Sequence, residues 1–134
     1  MGLDNGIVIR HREGKIIFIP KKCYGYQYSL GGNPHYEIAY WRKCWGVRNA
    51  IIRMFVDEAL YDSYDIVLDR DDIKKLIGLM KKFTKRMYWD EHADSIWAYD
   101  EFKNHQKRIV KNLKWLYWYM GRDPEVEAHF YDSY

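Results

Sequence analysis

The chain changes hydrophobic period near its C-terminus. Phe102, Gln106, Ile109, Leu113, Leu116 and Met120 recur alternately by four and three, the spacing of one helix face. Gly121 suits the cap of that helix and Asp123-Pro124 ends it. Directly afterwards Val126, Ala128 and Phe130 alternate with Glu127, His129 and Tyr131, the pattern of a strand with one buried face. Such a strand needs partner strands from elsewhere in the chain and a layer to cover its apolar side.

Candidate partners lie at the N-terminus. Gly6 to Arg10 and Lys15 to Ile19 are short β-branched runs around His11 to Gly14, which reads as a β-hairpin closed by Pro20. Lys21 to Pro34 reads as a loop with Gly25, Gly31, Gly32 and the cluster Tyr24, Tyr26, Tyr28. Asn33-Pro34 looks like an N-cap followed by a proline at the first helical position. The positions Ile38, Trp41, Trp45, Ile52, Phe55 and Ala59 then predict a helix over Tyr36 to Leu60. Tyr64 to Leu68 suits a short strand. Asp69 with Asp72 resembles a carboxylate capping box for a second helix, whose apolar face is Ile73, Leu76, Ile77, Met80, Phe83 and Met87. The expected fold is α+β: a small antiparallel sheet from the N-terminal hairpin and the C-terminal strand, packed against three helices in one domain over 1–134.

Composition narrows the function classes. A formal charge of +3 from 22 Lys+Arg and 19 Asp+Glu does not by itself call for a nucleic acid or a membrane. Thirteen Tyr and six Trp exceed what packing usually requires and hint at a binding surface. Cys23 and Cys44 form no Cys-x-x-Cys pair, so reduced thiols are expected. Neither a signal peptide, a myristoylation signal nor a bilayer-spanning apolar run is evident, which predicts a cytoplasmic protein without a membrane partner.

Sites with recognised chemistry are scarce. His11, His35, His92, His105 and His129 fall into no metal-binding spacing, and His92 beside Asp90, Glu91 and Asp94 is the only local grouping of ligand type. No P-loop, dinucleotide fingerprint or nucleophile elbow occurs, so neither a catalytic residue, a metal nor a cofactor is assigned. The rows Lys74, Lys75, Lys81, Lys82, Lys85, Arg86 and Lys103, Lys107, Lys111, Lys114 read as solvated helix faces, which makes nucleic acid an unexpected partner. Tyr40-Trp41-Arg42-Lys43 places two π faces beside two cations, with Arg48 and Asn49 one to two turns on. Those groups suit a ring-bearing anion. They equally suit a core tryptophan with solvated cations around it.

Met1-Gly2-Leu3-Asp4, the Glu37 to Lys43 segment with Arg48-Asn49, and Phe130-Tyr131-Asp132-Ser133 resemble a group of small, mostly uncharacterised phage and prophage proteins. Members similarly open with Met-Gly-Leu-Asp, carry a Tyr-Trp-Arg-Lys helix and end on an aromatic strand followed by Ser. The resemblance implies a phage context and no mechanism. Asp4, Tyr40, Trp41, Arg42, Lys43, Arg48, Asn49, Asp132 and Ser133 are therefore expected to converge at one end of the sheet. The leading expectation is a non-enzymatic, counter-defence type of protein that sequesters a small anionic, nucleotide-derived signal in the host cytoplasm. The alternatives are a protein-protein inhibitor of a host defence enzyme and a nucleic-acid-binding accessory protein. Any of these is compatible with a homo-oligomer.

Overall fold

The computed structural model describes residues 4–23, 26–42, 44–56, 65–84, 86 and 96–133. Lys43, Tyr64 and the His92 group lie outside the described residues. Strands β1 (Asp4–His11), β2 (Tyr26–Leu30), β3 (Asn33–Arg42), β4 (Asp65–Leu68) and β5 (Val126–Ser133) form one antiparallel sheet in the order β2-β3-β1-β5-β4. Helices α1 (Trp45–Val56), α2 (Arg70–Lys82) and α3 (Ile96–Arg122) supply the other layer, so the fold is α+β as the sequence predicts. None of the helices is long and apolar enough to cross a membrane.

The two patterns at the C-terminus behave as their periods require. α3 buries Phe102, Ile109, Leu113 and Leu116, and β5 buries Val126, Ala128, Phe130 and Asp132 on one face. The capping box before α2 is also formed. Asp69 accepts from the Asp72 N–H at 2.7 Å, while the Asp72 carboxylate accepts from the Asp69 N–H at 3.0 Å. These two reciprocal bonds satisfy N–H groups that a helix start otherwise leaves open.

The N-terminal half departs from expectation. No strand forms over Lys15–Ile19, because both hydrogen-bonding edges of β1 are occupied, one by β3 and the other by β5. The segment is instead an extended arm anchored by Ile17, which is buried and donates its N–H to the Tyr36 hydroxyl at 3.0 Å. Gly31 and Gly32 both have positive φ, 58° and 84°, and join β2 to β3 as a tight hairpin. Two consecutive positive φ values match the right-handed twist of the flanking strands, which is why glycines stand there. The expected helix from Tyr36 to Leu60 is therefore a strand through Arg42 and a helix only from Trp45, while Leu60 lies outside the described residues. Pro34 sits at the hairpin end opposite Ser29 and starts no helix.

A β-bulge explains how the strand carried a helical spacing. Ile7 pairs with Ala39 and Val8 with Glu37, so Ile38 is an extra residue without a partner on β1. Core positions on β3 consequently run Tyr36, Ile38, Ala39, Trp41 and not every second residue. The Ile38 carbonyl accepts from the buried Asn112 amide of α3 at 2.7 Å. One side chain thus satisfies a carbonyl at the bulge and fixes α3 against β3. Between the layers, the Trp41 ring lies 6.2 Å from both Phe102 and Phe130.

Candidate functional site

Alternation along the strands gives the sheet two unlike faces. Asn5, Ile7, Ile9 and His11 of β1 point toward the helices, whereas Asp4, Gly6, Val8 and Arg10 share the other side. The outer side also receives Tyr28 of β2, His35, Glu37, Tyr40 and Arg42 of β3, Asp65 of β4, and Glu127, His129 and Tyr131 of β5. It is a polar, aromatic surface. Gly6 makes its centre possible. A Cβ there would lie 2.5 Å from the Tyr131 ring and 2.7 Å from the Ala39 carbonyl. Without that atom the Tyr131 ring lies over β1, and its hydroxyl donates to Glu37 on β3 at 2.6 Å.

Beside this crossing is a basin of about 250 Å³ lined by Val8, Arg10, Tyr28, His35, Asp65, Glu127, His129 and Tyr131. Tyr28 and His35, cross-strand neighbours, stack with ring centroids 5.3 Å apart. His129 has Nδ1 at 3.2 Å from Asp65 and Nε2 at 2.5 Å from Glu127. Glu127 also faces Arg10 at 3.1 Å and Arg12 at 3.3 Å. Burial acts to raise the Glu127 carboxyl, but the His129 bond and the two guanidiniums outweigh it and hold it below 4.5. Glu37 moves the other way. Burial lifts it, the Tyr131 hydrogen bond opposes, and Asp4 adds to the rise.

The described residues among those expected to share one cleft do gather at one end of the sheet, but the sheet divides them. On the outer side Asp4 accepts from the Tyr40 hydroxyl at 2.8 Å and meets the Arg42 guanidinium at 3.3 Å, with the exposed Ser133 opposite Asp4. On the inner side Arg48 of α1 donates from Nε and one terminal nitrogen to a single Asp132 oxygen, at 3.0 and 2.9 Å, and both side chains are fully buried. Asn5 donates to the second Asp132 oxygen at 2.8 Å, and Asn49 accepts from Arg48 at 2.9 Å. Trp41 belongs to the core at 2% exposure, so its ring stacks on Phe130. The inner group is an internal clamp joining the first strand, the last strand and α1.

Tyr28, His35, Glu37, Asp65, Glu127, His129 and Tyr131 have no place in the expected site. Part of the signal is in the sequence, since the alternation of β5 already puts Glu127, His129 and Tyr131 on its polar face. The missing step is the Gly31-Gly32 hairpin, which brings Tyr28 and His35 onto the same surface. No family model, curated protein or solved structure matches the chain.

The outer hydroxyls give a pH prediction. Tyr40 is raised from 10.0 to about 12 by burial first and then by its bond to Asp4, and Tyr131 is raised by burial and then by Glu37. A raised folded-state value means that stability is full below the unfolded value near 10 and is lost as pH climbs through the folded one. The urea midpoint is expected to hold from pH 7 to 9 and fall above 10. In Tyr40→Phe/Tyr131→Phe the fall should be shallower; an equally steep fall would contradict the assignment.

Proposed function

We propose that the chain is a non-enzymatic binding protein whose ligand site is the basin on the outer sheet face. The observation that carries this reading is the lining itself: an aromatic stack, a guanidinium and carboxylate acceptors converge in one concavity on an otherwise polar sheet face. That set suits a small planar ring with hydrogen-bond donors, its face against Tyr28 and His35 and its donors toward Asp65. A charged substituent such as phosphate would meet Arg10. The basin lies below the ~300–1,000 Å³ usual for sites that enclose drug-sized ligands. A base fills it and a sugar phosphate extends over the rim.

Support for binding over catalysis comes from the same residues. Among its described residues the lining includes no Ser, Thr, Cys or Lys, and both nitrogens of His129 already face carboxylates. In the phage context that the sequence resemblance implies, the binder is a counter-defence factor that sequesters a nucleotide-derived signal in the host cytoplasm.

Purified chain incubated with linear and cyclic nucleotides is expected to retain one of them by native mass spectrometry and to return all of them intact by chromatography. Ligand at about a hundred times its Kd should stabilise the fold by about 2.7 kcal/mol. Arg10→Ala should abolish that gain. Its apo stability should drop by less than about 1 kcal/mol, because the Arg10–Glu127 pair is partly exposed. Turnover of a nucleotide, or an unchanged ligand effect in Arg10→Ala, would overturn the reading.

A protein-protein inhibitor is the second reading, and it rests on the arm before β2. Ile16 and Phe18 are 64% and 86% exposed on either side of buried Ile17. Large apolar groups presented this way resemble the anchors of partner-binding hot spots. Failure to retain any small molecule would move this reading to the front.

A further inference from the structure

The helical layer carries a charge pattern that the net charge conceals. α2 and α3 together hold eleven Lys and Arg against four Asp and Glu, whereas the rest of the chain holds eleven against fifteen. No acidic residue occurs from Ile73 to Thr84 or from Phe102 to Arg122. The sequence presents two separate lysine rows. Packing of α2 on α3 brings one member of each row together, as Lys81 and Lys107 flank a groove of about 320 Å³ with Gln106 and Val110.

An ordinary solvated helix face interleaves both signs, because opposite charges at i,i+4 stabilise a helix and like charges destabilise it by a few tenths of a kcal/mol. Lys103, Lys107 and Lys111 stand at i,i+4 to one another, with Lys114 one turn further, and all four are exposed. This stack opposes helix stability. Successive lysines rise by about 6 Å along the helix.

We propose that the α2–α3 face binds nucleic acid through its phosphate backbone, without reading bases. The partner must be a polyanion, since that charge complements lysine rows with no acidic residue interleaved from Ile73 to Thr84 or from Phe102 to Arg122. The apolar sides of both helices are spent on the core: Ile73, Leu76, Met80, Phe102, Ile109, Leu113 and Leu116 are all buried. Among the described residues of these helices Trp118 is the one large exposed apolar group. Trp118 stands four residues past Lys114 on the same flank, so the face holds a single aromatic where a membrane-lying helix uses a continuous apolar stripe and a protein hot spot a cluster of anchors. Phosphate binding needs none, and flexible lysine ammoniums act as point charges that position a backbone without specifying sequence.

The test is fluorescence anisotropy of the full chain with a labelled random-sequence 20-bp duplex from 50 to 200 mM salt. Engagement of Lys81, Lys103, Lys107, Lys111 and Lys114 predicts a log–log salt slope of about −4.5, a loss of roughly 500-fold over that range. Lys103→Glu/Lys107→Glu/Lys111→Glu should abolish binding. The Gln version of the same triple variant should weaken it and flatten the slope to about −2. Lys15→Glu, on the arm, should bind as the parent does. Circular-dichroism melts establish that each variant is folded. A slope shallower than about −1, parental affinity in both triple variants, or binding to phosphatidylserine vesicles or polyglutamate without binding to duplex would overturn the proposal.

Discussion

Asp132→Ala is expected to cost about 3–5 kcal/mol, because it leaves the buried Arg48 guanidinium without its carboxylate. That is a large part of the ~5–15 kcal/mol by which a domain is normally stable. In a chain of this length it corresponds to a fall in Tm of roughly 10–20 °C. The loss comes from an uncompensated buried charge, and the net worth of the pair is smaller. Arg48→Met/Asp132→Leu, which removes both charges and keeps apolar volume, should therefore recover most of the stability. Urea unfolding of the two variants measures the difference. A double variant as unstable as Asp132→Ala would show that the hydrogen bonds to Asn5 and Asn49 hold the clamp together, with the charge pair secondary.

Gly6→Ala should destabilise by about 1–3 kcal/mol, opposite in sign to the usual gain when glycine in a strand is replaced. The added methyl would collide with the Tyr131 ring and the Ala39 carbonyl. A ring moves aside at moderate cost; a strand carbonyl does not. Adding Tyr131→Ala to Gly6→Ala should restore only part of the loss, and the Glu37 bond across β1 would be gone in either case. Stability equal to the parent in Gly6→Ala would mean that the close approach of Tyr131 to β1 is not required.

These two positions mark where the sequence is readable and where it is not. Local rules that depend on neighbours in the chain act as written: the Asp69/Asp72 box, the four-three spacing of α3 and the alternation of β5 each form the expected element. β3 is misread because a bulge at Ile38 inserts one residue into its alternation and produces a three-residue step to Trp41. Two residues then separate Arg42 from α1, so strand and helix merge into a single apparent periodicity. Arg48 and Asp132, 84 positions apart, carry no mutual signal along the chain; only the meeting of β5 with β1 under α1 makes them partners. Gly6 likewise looks like a weak strand residue until β5 is seen to send Tyr131 across it.

The division of the site has the same origin. Asp4 and Asn5 are neighbours, yet pleating sends the first to the outer face with Tyr40 and Arg42 and the second to the inner clamp with Asp132. Residues clustered by type in the sequence are thereby separated. The outer basin draws instead on positions from β1, β2, β3, β4 and β5 that share a face.

The most direct test of that basin as the ligand site is a two-dimensional amide NMR titration of the full chain with the nucleotide that native mass spectrometry finds retained. Shifts are expected to concentrate at Val8, Arg10, Tyr28, His35, Asp65, His129 and Tyr131, with Arg48, Ile51 and Ile52 of α1 unmoved. Saturable shifts centred on α1, or confined to the arm around Ile16 and Phe18, would contradict that assignment.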